Sequence, residues 1–347
     1  MKALLMTLAL MGNISLAHAQ QTVAGTTYYL PKTALRVTML IEKTTYTPGQ
    51  FAMYANRYMR KPNVAQTSTA TYRIADIRMA AVGVPDSAKQ HTLVIDKKYS
   101  VNEVDRDESG ILLAINTTGK RTAQPKAFVP SAQPAAINPK DFMNEDILSA
   151  GSTAKMAELT AKEIYDIRES RAQLSRGQAD FMPKDGAQLK IMMENLDKQE
   201  HALLQVFEGV TTRDTVETVI TCVPTEETDR QLLFRFSRKL GLVDNDDLAG
   251  TPYYISVAID RHVTDEAPAA SEKEPKDNFG LYVNVPEKIQ VTLSHQGKAV
   301  KRFETYAGQF GKTECLSGEL FGKKLTSRIV LNPVSGSIEK IESDMVK

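Results

Sequence analysis

The chain has no tryptophan, two cysteines, five histidines and almost no net charge, with 43 lysines and arginines against 42 aspartates and glutamates in 347 residues. Each scarcity excludes something. With no bulk positive charge and no block of one sign, nothing draws a polyanion, so nucleic acid is not an expected partner. The lack of tryptophan argues against a typical sugar-stacking platform, although tyrosine can stack. Beyond the N-terminus no apolar run approaches the roughly eighteen residues a spanning helix needs, so no transmembrane segment is expected in the mature chain. Also missing are the G-x-S-x-G elbow, the G-x-x-x-x-G-K-[ST] loop and the G-x-G-x-x-G turn.

The N-terminus is what an export signal requires. Met1-Lys2 places one positive charge ahead of an apolar run from Ala3 to about Met11, and Ala17-His18-Ala19 offers small residues where signal peptidase cuts. Residues 1–19 read as a signal peptide, Gln20 as the new N-terminus, and the mature protein as exported, to the periplasm or beyond the cell. No cysteine follows the cut, so a lipid anchor is not expected. Losing Lys2 leaves 42 bases against 42 acids.

Length suggests about two or three domains, and the pattern divides them. Leu35, Val37, Met39 and Ile41 alternate with Arg36, Thr38 and Glu42, which predicts a half-buried strand over 33–42. Pro48-Gly49 ends it, and Phe51, Tyr54, Ala55 and Tyr58 at helical spacing predict a short helix. Extended patterns resume at Tyr72-Arg73-Ile74, 79–84, 92–95 and 111–115, completing an N-terminal β-rich unit over 20–118. Residues 119–140 carry Pro125, Pro130, Pro134 and Pro139 and read as a linker or long loop. Two apolar stripes, Met156 to Leu174 and Leu189 to Phe207, flank Pro183-Lys184-Asp185-Gly186 and predict an antiparallel helical hairpin within 141–210. Glu158 with Lys162, and Glu194 with Lys198, stand at the favourable spacing for ion pairs. Strand patterns return over 211–264, where they are expected to complete the sheet core. A charged, proline-bearing breaker spans 265–278, and 279–347 reads as a small β unit with turns at Gln296-Gly297 and Asn332-Pro333. The expected class is α+β: β-rich modules, sandwich-like or small barrels, around a central antiparallel helical hairpin.

Chemistry is sparse. His91, His201, His262 and His295 have no second histidine or cysteine at zinc-ligand spacing, so no metal or cofactor is expected. Asp244, Asp246 and Asp247 before Gly250 lack the spacing and terminal glutamate of a calcium loop and read better as a solvated turn. Gly308-Gln309-Phe310-Gly311 reads as a turn or bulge. Cys222 and Cys315 are either a disulfide closing about ninety residues, worth roughly 4 kcal/mol by loop entropy, or two separate buried thiols. The densest aromatic stretch is near the mature start, where Tyr28, Tyr29, Tyr46, Tyr54 and Tyr58 are candidates for a binding surface. The bland alternative is that they pack on neighbouring elements.

Several segments carry a family resemblance: Tyr28-Tyr29-Leu30-Pro31-Lys32, Glu42 to Gly49, Glu163-Ile164-Tyr165 through Gly186, Leu196 to Glu200, Gly308 to Gly311, and the closing Asn332-Pro333 hairpin. Over nearly the whole mature chain the sequence resembles an exported family of Bacteroidetes-type bacteria catalogued as domain of unknown function 4831. The resemblance implies export and architecture, and brings no activity with it. The reading of the residues therefore leans away from an enzyme, towards an envelope protein that binds or assembles with another envelope protein or a glycan. The alternative is an extracytoplasmic hydrolase of glycan or peptide whose carboxylates the sequence does not single out.

Overall fold

The computed structural model describes residues 25–95, 98–122, 125–126, 128–132, 135–260, 279–322 and 324–345. The segment expected to be a signal peptide, with Ala17-His18-Ala19, and His262 and the expected breaker 265–278 lie outside the described residues. The chain is strand-rich, with several antiparallel sheets.

The spine is a three-stranded ribbon. Strand β1 (Thr26–Thr47) lies between β2 (Thr69–Leu93) and, from Leu35 onward, β5 (Val210–Cys222), antiparallel to both. Leu35, Val37, Met39 and Ile41 are buried while Arg36, Thr38 and Leu40 are half-exposed, the alternation a one-sided strand requires. The predicted strand over 33–42 is the core-facing part of this longer one. The extended pieces expected at 72–74, 79–84 and 92–93 are a single strand, β2. Its register slips where Pro31 faces Pro85 and again past Leu40, where Ala75 bulges out. Neither proline has an N–H to give. Pro85 is tolerated on a sheet edge, and Pro31 precedes the point where β5 begins to pair.

Three bodies sit along the ribbon. Its middle packs on a five-stranded sheet of order β10-β9-β8-β6-β7. These strands are β6 (Thr228–Ser237), β7 (Gly241–Val243), β8 (Thr251–Ile259), β9 (Leu281–His295) and β10 (Lys298–Leu316). Val37, Met39 and Ile41 meet Phe234, Phe236 and Leu293, and Leu35 meets Ile255, Val257, Ile289 and Val291. Each such side chain contributes about 1.5–3 kcal/mol of burial. The ribbon's first residues pack on a four-stranded sheet of order β12-β11-β4-β3, made of β3 (Val104–Arg106), β4 (Leu112–Ile115), β11 (Leu325–Leu331) and β12 (Ile338–Met345). The core there holds Tyr28, Leu30, Leu93, Leu112, Ile115, Phe279, Leu281 and Phe321. The segments 20–118 and 279–347 thus share a sheet, and 211–222 pairs with β1, so the units expected from the sequence interleave.

The far end of the ribbon carries the helices. A 3-10 turn (Ala52–Tyr54) and α1 (Ala55–Met59) follow β1, as the spacing predicts. Then come α2 (Glu145–Leu148), α3 (Thr153–Arg176) and α4 (Gly186–Glu208). Ser152 and Asp185 cap α3 and α4 by accepting the backbone N–H three residues on, and Gly177 ends α3 at φ 71°, a left-handed position. Arg168 pairs with Glu200 and Arg171 with Asp197, a descending register that makes the two helices antiparallel. Ile164, Ile167, Leu203, Val206 and Phe207 close over Phe51 and Ala55. The expected i, i+4 pairs are replaced: Glu158 meets Lys155 at 3.0 Å and Glu194 meets Lys190 at 3.8 Å. Lys198 instead lies over the Phe142 ring. The described residues of 119–138 belong to no helix or strand. Among the described residues no helix is long and apolar enough to cross a membrane.

Candidate functional site

The five tyrosines singled out by the sequence do not form one surface. Tyr28 and Tyr29 begin β1 and Tyr46 nearly ends it, on the order of 50 Å apart along the strand by its rise per residue. Tyr28 is fully buried in the core under the four-stranded sheet, so it offers nothing to a partner. Its hydroxyl donates to Gly280 O at 3.0 Å and accepts the Tyr282 N–H at 2.6 Å. Burial pushes its ionisation far above the ordinary phenol range. The other four are half-buried. The Tyr46 hydroxyl lies within donating reach of two carbonyls, Glu208 O at the end of α4 at 3.0 Å and Ala65 O in the loop before β2 at 2.9 Å. Tyr54 and Tyr58 pack against the helical core. Tyr28, Tyr46, Tyr54 and Tyr58 thus all make contacts within their own chain.

The other candidates resolve similarly. Cys222 and Cys315 are both free, on β5 opposite Leu35 and on β10 opposite Tyr282, and no disulfide joins them in this structure. Burial pushes both thiols up. Among the described residues no group of three or more His, Cys, Asp or Glu side chains is arranged to hold a metal ion. The aspartate loop is a turn in which Asp247 accepts the Ala249 N–H at 2.8 Å. Gly308 to Gly311 is a bulge opposite Val285, as its composition suggests. From it, the Gln309 amide completes both backbone groups of Thr33, accepting from N and donating to O, each at 2.8 Å. The Asn332-Pro333 turn forms too, with the Asn332 carboxamide accepting the Val334 and Ser335 N–H groups. Fully buried Asn284 draws these pieces together: it donates to Pro31 O and Ser335 O and accepts from Lys89 Nζ at 3.1 Å. This knot is saturated internally and fixes the junction of the sheets.

An open site lies elsewhere, along the outer edge of β2. Two adjoining concavities of about 340 and 290 Å³ share Ile74 and Tyr253. One wall is β2 itself from Tyr72 to Ile77, about 17 Å of strand by its rise per residue. The opposite wall is Arg238, Tyr253 and His295, continuing to Val300 and Lys301. An aromatic ladder supports it. Phe234, Tyr253 and His295 face one another across β6, β8 and β9, with centroids 4.5 and 4.0 Å apart and planes within 14° and 9° of parallel. His295 Nδ1 lies 3.1 Å from Pro252 O. A carbonyl only accepts, so Nδ1 carries a proton and donates it.

Charge in the groove is mostly positive. Arg73 is held by Glu42 through two hydrogen bonds of 2.8 and 2.7 Å, which keep that carboxylate below its usual range. Arg238 and Lys301 are exposed and have no anionic partner among the described residues. The outer edge is nearly bare: the Tyr72 N–H donates to Arg238 O at 2.8 Å, and among the described residues no strand but β1, on the inner side, pairs with β2 from Arg73 to Ile77. Sequence reasoning missed this site because its parts come from positions 72 to 301. Only cross-strand register brings Tyr253 beside His295.

Nothing in this arrangement resembles a hydrolytic pair. Among the described residues, the carboxylates moved from their usual range, Glu42, Glu304 and Glu342, are all lowered by a neighbouring cation. A general acid needs the opposite shift. No curated protein and no solved structure matches the chain. The family model described as domain of unknown function (DUF4831) matches residues 24–339, and the chain belongs to that family.

Proposed function

We propose that this is an exported, non-enzymatic binding module that holds an extended segment of another envelope protein along the edge of β2. The observation that carries the reading is the coincidence of a bare strand edge with a groove. An added strand takes its affinity from main-chain hydrogen bonds and its specificity from side-chain pockets. Here the backbone of Arg73 to Ile77 supplies the first, and the Tyr253–His295 wall with Ile74 and Val300 supplies the second. Arg238 and Lys301 select segments carrying acidic side chains. Export rests on the N-terminal signal pattern and is tested separately by sequencing the N-terminus of the envelope fraction, where Gln20 or its cyclised form is expected.

The binding test uses a displayed peptide library panned against the full mature chain. The peptides recovered should alternate apolar and acidic residues, and Arg238→Glu combined with Lys301→Glu should weaken their binding at least about tenfold. Recovery of peptides insensitive to that double substitution would remove the groove from the reading. Turnover of a glycan or peptide substrate, lost on changing a single carboxylate, would replace binding with hydrolysis.

A further inference from the structure

The ribbon has a second free edge, and its sequence is self-complementary. β5 pairs with β1 on one side over Val210–Cys222 without a register slip, and among the described residues no strand pairs with its other side. Nine of its 13 residues are valine, isoleucine or threonine, and it contains neither proline nor lysine. Of the usual devices that blunt an edge it has neither proline nor bulge, and its only charges are Arg213, Asp214 and Glu217. Val216 and Val219 are 59% and 39% exposed. A regular, β-branched, uncovered edge of this length is a template for another strand.

Its three charges choose the partner. We propose that the partner is β5 of a second copy of this chain, joined antiparallel about a two-fold axis through Thr215. A two-fold normal to the sheet keeps each side chain on its own face, so the axis must pass through a residue rather than between two. With Arg213, Asp214 or Glu217 on the axis, that charge opposes itself. With Val216 on the axis, no charge of one copy stands opposite a charge of the other. With Thr215 on the axis, Arg213 of each copy stands directly opposite Glu217 of the other, twice by symmetry. The same register sets Thr212 against Thr218, Thr211 against Val219 and Val210 against Ile220. Asp214 falls opposite Val216; it and Arg213 each have an interaction within their own chain and Glu217 lies 3.7 Å from Arg78, so the pair between copies adds to contacts these side chains already make. The product is a continuous six-stranded sheet of order β2-β1-β5-β5-β1-β2, with the peptide grooves at its two outer edges.

The register makes the test specific. In a Cys222→Ala, Cys315→Ala background, Thr215→Cys should form a disulfide-linked dimer under mild oxidation, because the substituted positions face one another. Thr212→Cys in the same background should not, since its position faces Thr218. Sedimentation of the full mature chain should show a dimer. Arg213→Glu should weaken it about tenfold or more, and adding Glu217→Arg should restore it. A folded monomer at all concentrations, a dimer indifferent to Arg213→Glu, or cross-linking at Thr212→Cys but not at Thr215→Cys would each overturn the proposal. Far-UV circular dichroism of every variant separates lost pairing from lost fold.

Discussion

The Tyr282 backbone N–H donates to the Tyr28 hydroxyl at 2.6 Å, joining β1 to β9 across 254 residues of sequence. The ring of Tyr28 fills the core beneath the four-stranded sheet, and its one polar atom both accepts and donates. A buried phenol satisfied in this way is a register pin. This is the physical reason Tyr28 is structural rather than a surface for partners.

Tyr28→Phe should therefore cost about 1–2 kcal/mol in urea unfolding, because the Tyr282 N–H loses its acceptor in a dry site. The variant should also change the alkaline limb. The native phenol ionises far above the ordinary 10.0, chiefly because burial disfavours the phenolate. Above about pH 10 the unfolded chain releases this proton while the native chain retains it. The stability from this group is present below that pH and lost as pH rises. Comparing wild type with Tyr28→Phe over that limb should show a shallower fall in the variant. Parallel curves would remove Tyr28 as the cause.

His91 gives an acid-side counterpart. Its ring stacks on Tyr282 at 4.2 Å and lies 5.8 Å from Tyr28, with Lys89 on the same strand. Burial first, and Lys89 second, hold its pKa below the ordinary 6.5. Its buried Nε2 has no hydrogen-bond partner. Below about pH 6.5 the unfolded chain takes up a proton that the native ring refuses, so stability is present above that pH and lost as pH falls. His91→Phe keeps a ring against Tyr282 and removes the proton site. Its unfolding midpoint should fall less than that of wild type between neutral and mildly acidic pH, and an unchanged difference across that range would exclude His91.

What was legible in the sequence follows from periodicity and caps. The alternation at Leu35, Val37, Met39 and Ile41 exposes a one-sided strand, and the helices announce themselves through their stripes and the breakers between them. The length of β2 was hidden because an edge strand, open to water on one face, need not alternate cleanly; Arg73, Asp76 and Arg78 sit among its apolar residues. Interleaving was hidden because pairing between β4 and β11 joins residues more than two hundred positions apart. The groove was hidden for the same reason: Ile74, Arg238, Tyr253 and Lys301 become neighbours only once register is set.

On the helical hairpin, Glu200 is nearly buried and takes Arg168 at 2.6 Å and Arg171 at 2.8 Å. Glu200→Ala leaves Arg168 without its anion and Arg171 with Asp197 alone. Full burial would make that worth about 3–5 kcal/mol. Both arginine side chains are about one-third exposed, so water recovers part of the loss and about 1–3 kcal/mol is expected. Asp197→Ala, removing a more exposed partner of Arg171, should cost less than about 1 kcal/mol. Equal losses for the two variants in urea unfolding would contradict the burial argument.

Leu203 tests whether the hairpin is bound into the protein or merely attached to it. It is fully buried in the cluster that joins α3 and α4 to Phe51, Ala55 and Met59 at the end of the ribbon. Leu203→Ala should cost about 2–5 kcal/mol through lost burial and a cavity. Leu203→Asp should cost more, since it places a carboxylate among apolar side chains with no cation to meet it. Ile191 on the same helix is 59% exposed, so Ile191→Asp should change stability by no more than about 0.5 kcal/mol. The contrast isolates packing from helix propensity, because both positions lie in α4 and receive the same residue. If the hairpin were independent of the ribbon, Leu203→Asp would melt helical signal alone and leave the sheets' unfolding midpoint in place. The shared cluster predicts instead that the midpoint of the whole transition moves, and far-UV circular dichroism with intrinsic tyrosine fluorescence would follow the two signals together.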